Sequence, residues 1–191
     1  MLNKAVADGQ FVVENCPAIA DYSGKALDPD KDHDTLSTIL GTITTDWDFS
    51  KAKSLAEANL VAANAEAKGD VAILAPNDGT ARAIADAFSA DSAVTSYVIT
   101  GQDAEMASLK YIQDGKQSMT VWKDTSTLAK TTCDLVSSIL GGGTPSTSTT
   151  YNNQVKDVPS AECAVTVVDK DKLAELISAG SFSQDAIDSA K

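Results

Sequence analysis

Three short segments hold the side chains of this sequence best suited to chemistry. Residues 73–79 read ILAPNDG, residues 99–105 read ITGQDAE and residues 120–125 read TVWKDT. In each, an apolar run breaks into polar residues: Asn77 and Asp78, then Gln102 and Asp103, then Lys123. Amides, carboxylates and an ammonium together supply the donors and acceptors that a neutral, polyhydroxylated ligand needs. Apolar runs of this kind read as parallel strands buried on both faces. Polar residues just past the carboxyl ends of such strands are where open α/β sheets hold ligands. The expectation is that these side chains gather along one edge of one sheet.

Trp47 stands between Asp46 and Asp48, just before a helical pattern. An indole face beside carboxylates suits a sugar, whose C–H face stacks while its hydroxyls bond to the acids. Plainer readings stand beside these. Trp47 is also read as a surface-packed ring, Asp78 and Asp103 as helix N-caps, Lys123 as a solvated lysine and Trp122 as core. Asp78 and Asp103 are also read as a pair of catalytic carboxylates, as in a glycoside hydrolase.

Other chemistry finds little support. Asp28, Asp30, Asp32 and Asp34 alternate like a calcium loop, but the sixth and twelfth positions hold His33 and Ile39 instead of Gly and Glu. A solvated acidic loop is the expected reading. Cys16, Cys133 and Cys163 are far apart and form no CxxC, so neither a zinc site nor any other metal site is expected. There is no Gly-x-Ser-x-Gly elbow, and the single histidine lies in a polar stretch. The run 141–143 follows a helix and so stops one, where a phosphate loop would open one. No cofactor is expected.

Composition bounds the rest. The 191 residues suffice for one domain or one large lobe, and 43% are apolar, enough for a core. A net charge of −12 argues against nucleic acid and anionic membrane surfaces as partners. No apolar stretch approaches the ~20 residues of a membrane span. Residues 1–10 lack the basic start and apolar run of a signal peptide, so location is not read from a leader, and a fragment or a truncated reading frame is expected.

Along the chain, residues 10–14 read as a strand and 2–8 as a helix end. A helix is expected over residues 49–67, capped by Asp48, ended by Gly69 and burying Leu55, Asn59 and Ala62 beside Leu60. Strands follow at 71–75, 97–100, 118–122 and 162–168, with helices at 78–89, 104–114, 126–140 and 170–179 and a short one within 183–191. Residues 144–150 read as a Ser/Thr-rich loop. Strand–helix alternation predicts the α/β class with a parallel, doubly wound sheet.

Several of these segments together resemble the periplasmic monosaccharide-binding proteins of ABC importers, the type I periplasmic-binding fold, and within it the multiple-sugar and xylose-binding group. Residues 98–123 (VITGQDAEMASLKYIQDGKQSMTVWK) carry the likeness most strongly; 44–59 (TTDWDFSKAKSLAEAN), 151–159 (YNNQVKDVP) and 165–171 (VTVVDKD) add to it. The resemblance implies a non-enzymatic protein that binds a monosaccharide and presents it to a membrane permease. It implies that Trp47 stacks on the sugar, that Asn77 and Asp103 bond its hydroxyls and that Lys123 also reaches it, with Asp78 and Gln102 flanking. It further implies a periplasmic or extracellular location, membrane-anchored by lipid in the full-length parent.

That family has two lobes closing around the ligand, and this sequence resembles the second alone. The expected division is residues 1–125 as the sugar-binding C-terminal lobe, 126–157 as a crossover helix and loop that would pack on the first lobe, and 158–191 as a returning strand, helix and tail. On the crossover helix, Leu128, Leu135, Val136 and Ile139 would lose their neighbour, and are expected either to fold back on this lobe or to self-associate with a second copy. The alternatives to a transport receptor are the two-carboxylate hydrolase and the effector-binding domain of a sugar-responsive regulator, which shares this fold.

Overall fold

The computed structural model describes residues 45–64, 68 and 70–190. The readings made for residues 2–8, 10–14 and 28–34, for Cys16 and for His33 lie outside them. In chain order the elements are α1 (Phe49–Ala62), β1 (Asp70–Ile73), α2 (Asp78–Ala90), β2 (Ser96–Ile99), α3 (Met106–Gln113), β3 (Thr120–Lys123), α4 (Thr125–Leu140), β4 (Thr149–Asn152), β5 (Asp157–Ser160), β6 (Val165–Val168), α5 (Lys170–Ser178) and α6 (Gln184–Asp188). Among the described residues no helix is long and apolar enough to cross a membrane.

β1 and β2 pair in parallel, Asp70 opposite Ser96 and Ile73 opposite Ile99. β3 runs alongside the continuation of β2: the Val121 N–H donates to the Gly101 carbonyl at 3.1 Å and the Asp103 N–H to the Val121 carbonyl at 2.9 Å. Helices between these strands cover the sheet, as the α/β class requires. One strand departs from the all-parallel expectation. β6 pairs antiparallel to β3, Thr120 opposite Val168 and Lys123 opposite Val165. The chain leaves the sheet through α4 and re-enters from the other end, so β6 is an antiparallel edge on a parallel sheet, a common arrangement.

Among the described residues, apolar clusters under the helices hold this unit together. Under α1 and α2 lie Ala56, Leu60, Ala87 and Phe88, with Tyr97 against Phe88 at 5.6 Å between ring centroids. The α1 stripe is therefore Ala52, Ala56 and Leu60 and not the predicted Leu55, Asn59 and Ala62. Small alanines let α1 approach α2 closely, and apolarity alone does not single them out. Beneath α3, α5 and α6 lie Leu109, Ile112, Val168, Leu173, Phe182 and Ile187. Trp122 packs on this second cluster, its ring 5.1 Å from that of Phe182, which fits the core reading of this residue.

The segment between β3 and β6 is built differently. α4 has no buried residue; Leu128, Val136, Ile139 and Leu140 are exposed, so the helix does not fold back on this lobe. Residues 149–160, where only a loop was expected to begin, form the β4–β5 hairpin, Tyr151 opposite Val158. Its strands are solvent-facing and lack the apolar alternation that would mark them.

Candidate functional site

The carboxyl ends of the three adjacent strands lead into the polar residues. β1 runs through Ala75 and Pro76 into Asn77, which caps α2: its Oδ1 accepts from the Thr80 N–H at 3.2 Å. The capping role expected of Asp78 thus belongs to its neighbour. Among the described residues no partner engages the amide N–H group of Asn77, which leaves it a donor. β2 continues into Gly101, Gln102 and Asp103. β3 ends on Lys123, whose Nζ lies 3.1 Å from Asp103 Oδ1. Both side chains of that pair are partly exposed. Surface pairs of this kind contribute at most about 1 kcal/mol, so its consequence is placement more than stability. An acceptor and a donor stand side by side, with one carboxylate oxygen still open.

Trp47 stands at the entry to α1 with two-thirds of its surface exposed. Asp48 caps the helix, accepting from the Ser50 and Lys51 N–H groups. Asp46 and Trp47 both take positive φ, 54° and 63°, conformations unfavourable for residues bearing a Cβ. Phe49 fixes the helix start against the start of α2. A Cβ on Gly79 would come within 2.3 Å of its ring, so only glycine permits that approach. The indole stands two residues ahead of that contact, and among the described residues no recorded contact joins it to Asn77, Asp103 or Lys123.

Asp78 departs from expectation. It is fully buried, and its carboxylate is occupied by the protein itself. Oδ2 accepts from the Glu105 N–H and Oδ1 from Gln117 Nε2, each at 2.9 Å. It faces no ligand, so its assignment to the binding set is corrected. The pairing of Asp78 with Asp103 as hydrolytic carboxylates falls with it, because an acid sealed beneath the rim reaches no glycosidic bond. Gln102 reaches the same region through its backbone, its carbonyl accepting the Asp78 N–H at 2.9 Å.

Burial pushes the Asp78 carboxyl above its ordinary 3.8, against the lowering effect of Gln117, Thr120 and the Glu105 N–H; the Glu105 charge adds to the rise. A raised folded value means the stability this group contributes is complete below the ordinary value and is lost as pH rises through the folded one. Urea melts of the native chain and of Asp78→Asn, run upward from about pH 4, are expected to show the native chain losing stability relative to the amide variant. A difference that stays flat with pH would overturn this.

Sequence reasoning missed Gly101, Gln117 and Thr120, all buried beneath the rim. Nothing in the polar stretch 113–118 distinguishes an inward glutamine from an exposed one. A shallow depression of about 410 Å³ lies elsewhere, between Phe88, Asp91, Tyr97 and Gly115, at the amino-terminal end of β2. The rim itself is an open edge, a single wall of any ligand site. Among the described residues no cluster of His, Cys, Asp and Glu is arranged to hold a metal, and Cys133 and Cys163 are free thiols.

Strands that lead into polar residues at their carboxyl ends, with helices between them, define an α/β lobe. Residues 4–144 match the periplasmic binding protein domain family, and the chain belongs to that family. It is 35% identical over 115 residues to the D-xylose-binding periplasmic protein of Escherichia coli (strain K12), covering 60% of this chain and 35% of that one. It is 34% identical over 145 residues to the multiple sugar-binding periplasmic receptor ChvE of Rhizobium radiobacter, covering 73% of this chain and 41% of the other. Among solved structures, a carbohydrate transporter solute-binding protein from Chloroflexus aurantiacus, in complex with D-glucose, is 49% identical with a TM-score of 0.78. That match covers 97% of this chain and 54% of the other. The chain thus spans about half, or less, of the length of the relatives it matches.

Proposed function

We propose that this chain is the second lobe of a sugar receptor that serves an ABC importer, and that its strand-end rim binds a monosaccharide. The observation that carries the reading is the Asp103–Lys123 pair at the strand ends, with Asn77 in the loop that the Asp78 N–H ties to the Gln102 carbonyl. A sugar hydroxyl donates and accepts at once, and this arrangement offers it a carboxylate oxygen, an ammonium and an amide N–H. Trp47 supplies the apolar face for the ring. The sugars bound or named in the relatives, D-glucose and D-xylose, are the first to try. No reaction is assigned, in keeping with the binding-protein family to which the chain belongs.

In the division that follows from this, residues 1–125 carry the binding lobe and 158–191 return to complete it. Residues 126–157 are the crossover, whose bare apolar face is covered in the whole receptor by the other lobe or by a second copy. The receptor works outside the cytoplasmic membrane, held to it in the full-length parent, where it delivers the sugar to a permease.

Titration of the ¹⁵N-labelled chain with D-glucose and D-xylose is the test. Chemical-shift changes are expected at Asn77, Asp103 and Lys123 and at the Trp47 indole. Asp103→Asn and Trp47→Ala are each expected to weaken binding about tenfold, equivalent to about 1.4 kcal/mol. Sugar-induced shifts confined to other surfaces, or none with either sugar, would sink the assignment.

A further inference from the structure

Asp103 and Ala104 both take positive φ, 105° and 53°, in a loop without glycine at either position. Residues with a Cβ stay in such conformations only where their surroundings fix them. Here three consecutive N–H groups are each held by a separate acceptor. Asp103 donates to the Val121 carbonyl at 2.9 Å, Ala104 to Thr120 Oγ1 at 3.2 Å and Glu105 to Asp78 Oδ2 at 2.9 Å. Two of those acceptors are buried side chains of one assembly: Thr120 lies near enough to Asp78 to favour its charged form, and Gln117 Nε2 holds Asp78 Oδ1 at 2.9 Å. Gln117 is fixed in turn by the Met119 carbonyl at 3.0 Å. Outside the assembly, Arg82 grips the Glu105 carboxylate at 2.7 Å.

The same residue holds the other side of the rim. Asp78 directly follows Asn77, and its own N–H donates to the Gln102 carbonyl. One buried residue therefore ties the loop after β1 to the loop after β2 through both its backbone and its side chain. Packing alone would be served by an apolar residue at this position, whereas a carboxylate held by a donor on each oxygen sets an angle and a distance.

We propose that Asp78, acting with Thr120 and Gln117, is a positioning residue that sets Asp103 and Asn77 at the spacing their ligand requires. The inference rests on the sugar-binding reading of those two side chains. Asp78 touches no ligand and acts only through the loop it anchors.

Thr120→Val, Thr120→Ser and Asp78→Ala test it in the whole chain. Valine keeps the shape and strand preference of threonine but removes the hydroxyl; serine retains the hydroxyl. Hydrogen exchange is expected to quicken at least tenfold at the Ala104 and Glu105 amides in Thr120→Val and Asp78→Ala, and to stay within about threefold of the native rate in Thr120→Ser. The Leu173 amide of α5 should be unaffected. D-glucose binding should weaken at least tenfold in the same two variants and recover in Thr120→Ser. Unchanged exchange at Ala104 and Glu105 in Thr120→Val overturns the proposal, as does equal D-glucose affinity in native, Val and Ser forms. If the native chain shows no sugar response while the two amides still loosen, the sugar reading falls and the anchoring of the loop stands.

Discussion

Gly101→Ala is expected to lower stability by about 3 kcal/mol and to dislodge the Asp103 loop. An added Cβ would lie 2.2 Å from Asp78 Oδ1 and 2.3 Å from Gln117 Nε2, inside the hydrogen bond that joins them. Both atoms end side chains, yet neither is free to swing away. Asp78 is held by the Glu105 N–H and Gln117 by the Met119 carbonyl. The methyl must therefore break the bond or shift the backbone of β2 against β3. Overpacking a tight site costs about 1–3 kcal/mol, and each buried polar group left without a partner about 1–3 more. For a domain of this size that predicts a fall in Tm of about 6–12 °C, followed by far-UV circular dichroism. Because the methyl sits under the loop, the amide signals of Asp103, Ala104 and Glu105 should move further than those of α5. A variant that melts within 2 °C of the native chain would show that the site relaxes freely, contrary to the geometry.

How much of this was legible in the sequence depended on what each residue had to do. Strand ends were readable because an apolar run that turns polar can hardly lie elsewhere than at a sheet edge. That reasoning expects Asn77, Asp78, Gln102, Asp103 and Lys123 at one edge; the structure pairs Asp103 with Lys123, ties Asp78 to Gln102 and takes the Asp78 side chain beneath the rim. The Asp48 cap was readable for a similar reason, since an acid just before a helical pattern has an N–H group to accept. Function came through the family resemblance more than through any single motif, and the match over residues 4–144 upholds it.

The remainder hid for identifiable causes. Asn77 and Asp78 are both good caps, and only the turn of the backbone decides which one points at the helix and which goes under the rim. The close contact of α1 with α2 rests on alanines, which carry too little apolar character to mark a face. Gln117 and Thr120 are buried because a carboxylate is buried opposite them, a long-range pairing that no local pattern records. The antiparallel entry of β6 depends on where the chain returns from after α4, and the local apolar pattern of residues 162–168 reads the same in either direction.

Leu173→Ala separates the parts of the chain that complete the lobe from the part that stands off it. Leu173 is 1% exposed, in a cluster drawn from α3, β6, α5, α6 and Phe182. Truncating a leucine in such a setting costs about 2–5 kcal/mol, the lost transfer energy plus the cavity. About 3 kcal/mol is expected here, or a Tm lower by about 6–12 °C. Trp122 touches the same cluster through Phe182, so its fluorescence should report the loosening. Leu140→Ala on α4 removes the same atoms from a side chain that is 82% exposed. Burial of apolar surface is what stabilises, so this second change should stay within about 0.5 kcal/mol. Equal losses from the two substitutions would mean that α4 is covered in solution by something the isolated lobe does not provide. A large gap between them would establish that α5 belongs to the core while Leu140 on α4 stands clear of it.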